Sequence, residues 1–117
     1  MHRGIKPENV IVTEKDEIRL IDFSFSKMMD AGENSEQITG TPLYMSPEAI
    51  GGFAGKEADM WSLGVLLYTL VSGHMPFSEK SKRKLFERIE NCDWEFVSPA
   101  FDNVTSNCKD LISKLIV

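Results

Sequence analysis

The chain predicts an α+β fold, mainly α, in which a short β-hairpin and an irregular loop precede a buried helix and the helices that cover it. Three observations carry this. Two β-rich apolar runs lie close together near the start of the 117 residues. Nine of the twelve residues from Met60 to Val71 are apolar and occupy every face of a helix. Beyond them, apolar residues recur at helical spacing on one side only.

Val10-Ile11-Val12 and Ile18-Arg19-Leu20-Ile21 flank the polar Thr13-Glu14-Lys15-Asp16-Glu17, which predicts a hairpin with Asp22 emerging from its second strand. From Ser24 to Gly40 the chain is polar and lacks periodic apolar positions, so a mobile loop is expected. The pattern turns helical beyond Pro47, and most strongly from Glu57 to Val71. A helix apolar all round must be buried all round. Helices are also expected over about Lys82 to Glu90 and Asn107 to Val117; in the latter, Cys108, Leu111, Ile112, Leu115 and Ile116 fall at i, i+3, i+4, i+7 and i+8. Trp61 and Trp94 read as packing residues.

A net charge of −5 and a pI near 5.0 argue against nucleic acid or an anionic membrane as partner, since both call for clustered positive charge. The one basic run, Lys80-Ser81-Lys82-Arg83-Lys84, leads into Leu85, Phe86 and Ile89 at helical spacing and reads as a solvated helix face. Cys92 and Cys108, sixteen positions apart with no histidine cluster nearby, suggest neither a disulfide framework nor a zinc site. No apolar signal core lies in Met1 to Lys6, and Met60 to Val71 is shorter than the roughly 20 residues a membrane helix needs. A soluble, cytoplasmic chain is expected.

Four motifs then follow one another: His2-Arg3-Gly4-Ile5-Lys6-Pro7-Glu8-Asn9, Asp22-Phe23-Ser24, Gly40-Thr41-Pro42-Leu43-Tyr44-Met45-Ser46-Pro47-Glu48 and Asp59-Met60-Trp61-Ser62-Leu63-Gly64. In this order and spacing the chain resembles the eukaryotic protein kinase family over essentially its whole length. Lys6-Pro7-Glu8-Asn9 and Gly40-Thr41-Pro42 resemble the serine/threonine branch, and Leu70-Val71-Ser72-Gly73-His74-Met75-Pro76-Phe77 is similar to the calcium/calmodulin-dependent group.

The resemblance implies a partial kinase domain over residues 1–117: a C-terminal lobe incomplete at both ends, with the N-terminal lobe absent and Ser24 to Gly40 as the activation segment. Its cofactors would be ATP and Mg2+, although without the other lobe ATP loses one wall of its cleft and most phosphate contacts. Phosphoryl transfer needs metal ions across the phosphates, positive charge on the migrating group and a carboxylate that orients the substrate hydroxyl. Asn9 and Asp22 match the metal-binding residues, and their oxygens suit Mg2+. Lys6 would place its charge on the γ-phosphate. Gly4 occupies the position of the catalytic aspartate and has no side chain to accept a proton. Gly40, Thr41 and Pro42 match the platform for the substrate residue that follows the phosphoacceptor.

Three residues match structural anchors. Arg3 corresponds to the arginine that grips a phosphorylated activation-loop residue, Glu48 to a glutamate paired with an arginine further along than Val117, and Asp59 to an aspartate that holds the catalytic-loop backbone. Gln37 stands at the usual phosphosite, with Ser35 or Thr39 as substitutes and Glu36 as a standing charge. Ser24 replaces a glycine at a position that benefits from permissive dihedrals. Taken without the family, Asp22 is a strand-end aspartate, Asn9 a turn asparagine, Lys6 an exposed loop lysine and Asp59 a carboxylate favoured by a helix dipole.

The leading expectation is a serine/threonine kinase family member that is inactive as written. The alternatives are a pseudokinase module binding a protein partner through Leu85, Phe86, Ile89 and Trp94, and a non-functional gene remnant. Partners would be a protein substrate or a protein bound through the C-lobe surface, and nothing in these residues specifies a calmodulin requirement. Leaving large side chains of the apolar helix uncovered would forfeit several kcal/mol at about 25 cal/mol per Å2, so the isolated chain is expected to aggregate or unfold in part.

Overall fold

Thr13 builds the first turn. Its hydroxyl accepts the N–H groups of Lys15 at 3.3 Å and Glu17 at 3.1 Å, and its own N–H donates to the Glu17 carbonyl at 2.9 Å. Such side-chain-to-backbone bonds let a short polar residue bend a chain. Asp16 supplies the left-handed φ of 57° within the turn, a region aspartate enters more readily than most residues. In the computed structural model, which describes residues 1–30, 32–36 and 39–117, this turn joins strands β1 (Val10–Val12) and β2 (Ile18–Leu20). They pair antiparallel, with Val10 opposite Leu20 and Val12 opposite Ile18. β2 is one residue shorter than expected, yet the Ile21 N–H still donates to the Asn9 carbonyl at 3.0 Å, so Asn9 lies beside the strand that leads to Asp22. Ile11, Val12, Ile18 and Leu20 are all exposed.

The helices begin and end where local chemistry directs. Ser46 caps α1 (Pro47–Ile50), its Oγ accepting the Ala49 N–H at 3.3 Å, with Pro47 in the first helical position where a missing N–H costs nothing. The long helix α2 (Glu57–Ser72) ends at Gly73, whose φ of 74° is the left-handed stop that glycine provides cheaply. Helix α3 is Lys82–Glu90 and α4 is Ser106–Leu115, the latter capped by the Thr105 hydroxyl on the Cys108 N–H. α4 therefore starts one residue before the expected range and releases Ile116 and Val117 from the helix, though Ile116 stays buried.

The core gathers Trp61, Val65 and Tyr68 of α2, Phe77, Leu85 and Ile89 of α3, Phe101, and Ile112 and Ile116. Trp61 stacks on Phe77 at 5.7 Å, and the buried Tyr68 satisfies its hydroxyl on the Glu95 carbonyl at 2.8 Å. Gly64 lets α4 approach α2 closely: a Cβ there would stand 2.7 Å from the Leu115 Cβ.

Two expectations are corrected. The apolar helix is not buried all round, because α3, α4 and their connecting segments cover one side while Met60 and Leu70 remain 50% and 69% exposed. Two of the four residues suggested for a partner surface are core instead: Leu85 and Ile89 are buried, while Phe86 and Trp94 pack against the same cluster and are partly buried. Lys80 to Lys84 are all exposed, as a solvated face requires. Among the described residues no helix is long and apolar enough to cross a membrane.

Candidate functional site

Asp59 lies in the first turn of α2, where the helix dipole favours a carboxylate. From there its two oxygens accept the backbone N–H groups of His2 at 2.6 Å and Arg3 at 2.9 Å. Bonds to a charged acceptor are roughly twice as strong as neutral ones. The loop from His2 to Asn9 thus hangs from a helix more than fifty residues further along the chain. Arg3 is kept at a left-handed φ of 65°, a strained conformation that persists where surroundings impose it.

The next bonds fix the loop onto β2. The Gly4 N–H donates to His2 Nδ1 at 3.1 Å, so the ring proton is on Nε2, which donates to the Ile21 carbonyl at 3.0 Å. The His2 ring meets Phe23 edge-on at 4.8 Å. Buried Asn9 closes the loop by donating Nδ2 to the Gly4 carbonyl at 2.8 Å. Position 4 is thereby held through its backbone alone. A Cβ on Gly4 would meet Asn9 Nδ2 at 3.2 Å and the His2 ring at 3.4 Å, and its φ lies outside the left-handed region, so a side chain fits after a small movement of Asn9.

Asp22 emerges from the hairpin as expected, but the demanding dihedral is its own. Its φ is 59°, whereas Ser24, where permissive dihedrals were expected to matter, lies outside the left-handed region. Ser24 acts through hydrogen bonds instead, its N–H at 3.2 Å and its hydroxyl at 2.5 Å both donating to Asp22 Oδ1. The hydroxyl first, then the N–H, hold the Asp22 carboxyl below its ordinary range, slight burial opposing them and the Lys6 charge assisting.

Lys6 reaches the other wall of the site, donating from Nζ to Thr41 Oγ1 at 2.9 Å. Thr41 precedes a 3-10 turn over Pro42–Tyr44, and Gly40 passes close to the Arg3 carbonyl at a φ of 123° that favours glycine. Gly40, Thr41 and Pro42 are thus gathered beside Lys6 and Gly4. Arg3, Gly4, Lys6, Thr41, Tyr44 and Ser62 line a cavity of about 30 Å3 between these segments.

The Arg3 guanidinium is engaged without a phosphate. Its Nε donates to the Phe25 carbonyl at 2.5 Å and its Nη1 to Ser35 Oγ at 3.0 Å. Ser35 is itself anchored, exchanging backbone bonds of 2.8 and 3.1 Å with Ala54. The expectation that Ser35 or Thr39 substitutes as phosphosite is not met by their placement. Ser35 is 3% exposed and the Thr39 hydroxyl is also buried, so neither is presented to a modifying enzyme. Glu36 is exposed, and Gln37 lies outside the described residues. Glu48, exposed in the first turn of α1, stands apart from the gathered residues, and its carboxylate makes no ion pair among the described residues.

The structure therefore brings together Arg3, Gly4, Lys6, Asn9, Asp22, Gly40, Thr41, Pro42 and Asp59. Sequence reasoning missed the Ser24 clamp on Asp22, although a serine two residues after an aspartate is an available signal for such a turn. It also missed the bond from Lys6 to Thr41, for which no local signal exists.

Comparison with known proteins adds an independent line. The family model described as "Protein kinase domain" matches residues 1–117. The chain is 39% identical over 124 residues to the phosphorylase b kinase gamma catalytic chain, liver/testis isoform, of Mus musculus, covering 99% of this chain and 30% of the relative. It is 40% identical over 122 residues to calcium/calmodulin-dependent protein kinase type IV of Homo sapiens, covering 100% of this chain and 26% of the relative. It is 36% identical over 120 residues to calcium-dependent protein kinase 11 of Oryza sativa subsp. japonica, covering 100% of this chain and 21% of the relative. The chain thus spans less than a third of the length of each.

Proposed function

This chain belongs to the protein kinase family, and on that premise we propose that residues 1–117 form part of a serine/threonine kinase C-terminal lobe whose phosphoryl transfer is impaired at Gly4. The calcium- and calmodulin-dependent relatives support the serine/threonine type. Its substrate class would be protein serine or threonine hydroxyls, with Gly40, Thr41 and Pro42 receiving the residue beyond the phosphoacceptor.

The observation that carries this reading is the loop around Gly4. Its backbone is bonded at His2, Arg3 and Gly4 to Asp59, His2 and Asn9, with space for a side chain at position 4. Such a loop suits a carboxylate aimed at a substrate hydroxyl, and glycine supplies none. General-base loss typically lowers a rate about 10^2- to 10^4-fold.

The residues present fit a divalent cation held together with nucleotide phosphates. Asn9 has committed Nδ2 to Gly4, which leaves Oδ1 for a cation, and Asp22 has one carboxylate oxygen clear of Ser24. Among the described residues no group of three or more His, Cys, Asp or Glu gathers to hold a metal, so phosphates and water would complete the shell. Mg2+ would neutralise charge on the transferring phosphoryl group, and Lys6 would add its charge from the Thr41 side.

The test is restoration. In a fusion that supplies a nucleotide-binding N-terminal lobe, Gly4→Asp is expected to raise phosphotransfer to a peptide by about 10^2- to 10^4-fold. An unchanged rate would show that Gly4 does not limit the chemistry. The binding-module alternative loses support, because Leu85 and Ile89 lie in the core.

A further inference from the structure

Ser24 bears on which cation Asp22 can hold. A carboxylate offers two oxygens with about four lone-pair positions between them. Ser24 directs two donors onto Oδ1, at 3.2 and 2.5 Å, while Oδ2 accepts no hydrogen bond among the described residues. The Asp22 side chain is exposed, and Asn9 is tied to the adjoining strand through the Ile21 N–H. A cation approaching Asp22 therefore meets one open oxygen and one already engaged.

Divalent cations differ in what they require of a carboxylate. Magnesium takes a tight octahedral shell and keeps several waters, drawing on one or two carboxylates; calcium takes six to eight oxygens at longer distances and often grips both oxygens of one carboxylate. Two-oxygen grip on Asp22 would displace or weaken the short Ser24 bond. Single-oxygen contact through Oδ2 leaves that bond in place.

We propose that Ser24 is a specificity-determining positioning residue whose hydroxyl confines Asp22 to single-oxygen coordination and so disfavours calcium relative to a small octahedral cation. The inference rests on the proposed role of Asp22 as a metal ligand. The backbone supports it, because Ser24 occupies an ordinary dihedral region and its hydroxyl can be removed without relieving strain.

The experiment is Mn2+ binding to the full chain in the presence of a non-hydrolysable ATP analogue, which supplies the phosphates of the shell without turnover, followed by water-proton relaxation with Ca2+ as competitor. Ser24→Ala is expected to raise Ca2+ affinity relative to Mn2+ on the order of 3- to 10-fold, less than a fully buried charge-assisted bond would give because the pair is exposed. Ser24→Thr, which keeps the hydroxyl, should behave as the wild type. Asp22→Asn should weaken binding of both ions. An unchanged ratio in Ser24→Ala, with Asp22→Asn still weakening both, overturns the proposal and leaves Asp22 as a ligand. Mn2+ binding that Asp22→Asn does not weaken, or none at all, overturns the role of Asp22 and the proposal with it.

Discussion

Replacing Gly64 with alanine sets helix propensity against packing. Propensity favours the change by about 1 kcal/mol, since glycine inside a helix is that much less favourable than alanine. Packing opposes it. The new Cβ would lie 2.7 Å from the Leu115 Cβ, 2.8 Å from the Ile116 Cγ1 and 3.3 Å from the Leu115 carbonyl carbon. The Leu115 Cβ and carbonyl carbon are fixed to the backbone and cannot rotate aside, so the end of α4 must move away from α2. Overpacking of this kind typically costs about 1–3 kcal/mol, and partial exposure of the buried Ile116 adds to it. With about 1 kcal/mol from the partial exposure of Ile116 offsetting the helix gain, Gly64→Ala should destabilise the fold by roughly 1–3 kcal/mol. Urea unfolding followed by the fluorescence of Trp61 and Trp94 reads this directly, because both pack in or against the core. With a slope of about 2 kcal/mol per M, the midpoint should fall by roughly 0.5–1.5 M. Gly51→Ala is the control: its φ is −71° and its nearest neighbours would stand 3.6 Å or further away. It should gain about 0.4–1 kcal/mol by restricting the unfolded chain. A midpoint for Gly64→Ala equal to or above the wild type would refute the claim that α4 is packed against α2 at this distance.

Asp59→Ala removes the acceptor of two backbone N–H groups and should cost roughly 2–4 kcal/mol, with the His2 and Arg3 amides losing hydrogen-exchange protection before those of α4. Ile112→Ala, at a fully buried site, should cost about 2–5 kcal/mol by the same urea assay, whereas Leu70→Lys, at a 69% exposed site, should change stability by less than about 0.5 kcal/mol. Asp22 and Glu33 are held below their ordinary carboxyl values of 3.8 and 4.5, the first chiefly by the Ser24 hydroxyl and the second chiefly by the Asp30 N–H, then Lys27. A carboxyl depressed in the folded state contributes stability that is complete above its unfolded value and is lost as pH falls through the folded one. The urea midpoint should therefore decline below about pH 4.5, and Glu33→Gln should make that decline shallower.

Periodicity made α3 and α4 legible, because each buries a face that leaves a repeat in the sequence; α2 is legible from its nearly continuous apolar run, and the hairpin from two β-rich runs around a polar turn, although its apolar side chains are exposed. The failures of such patterns have physical causes. The apolar positions of α2 encode a capacity for burial on every face, but burial of Met60 and Leu70 needs neighbours on their side. The one-sided pattern of α3 indicates a covering helix, which must turn Leu85 and Ile89 inward and so withholds them from a binding surface. In the irregular segment, the sequence offers Ser35 as a substitute phosphosite, whereas the structure buries it. Its burial comes from Arg3 and Ala54, distant contacts that no local composition encodes. At the candidate site, motif spacing singles out Lys6, Asn9, Asp22 and Asp59, and hydrogen bonds tie Asn9 to Gly4 and Asp59 to His2 and Arg3. The sequence marks Ser24 as a backbone restriction, while its effect in the structure comes through the hydroxyl.

None of the bonds that shape the loop around position 4 involves a side chain at that position. The Asp59 carboxylate, the His2 ring and the Asn9 amide grip only N–H and carbonyl groups there. Form and reactivity are consequently separable properties of this loop. A side chain introduced at residue 4 changes the chemistry the loop presents while asking of its scaffold only a small movement of Asn9.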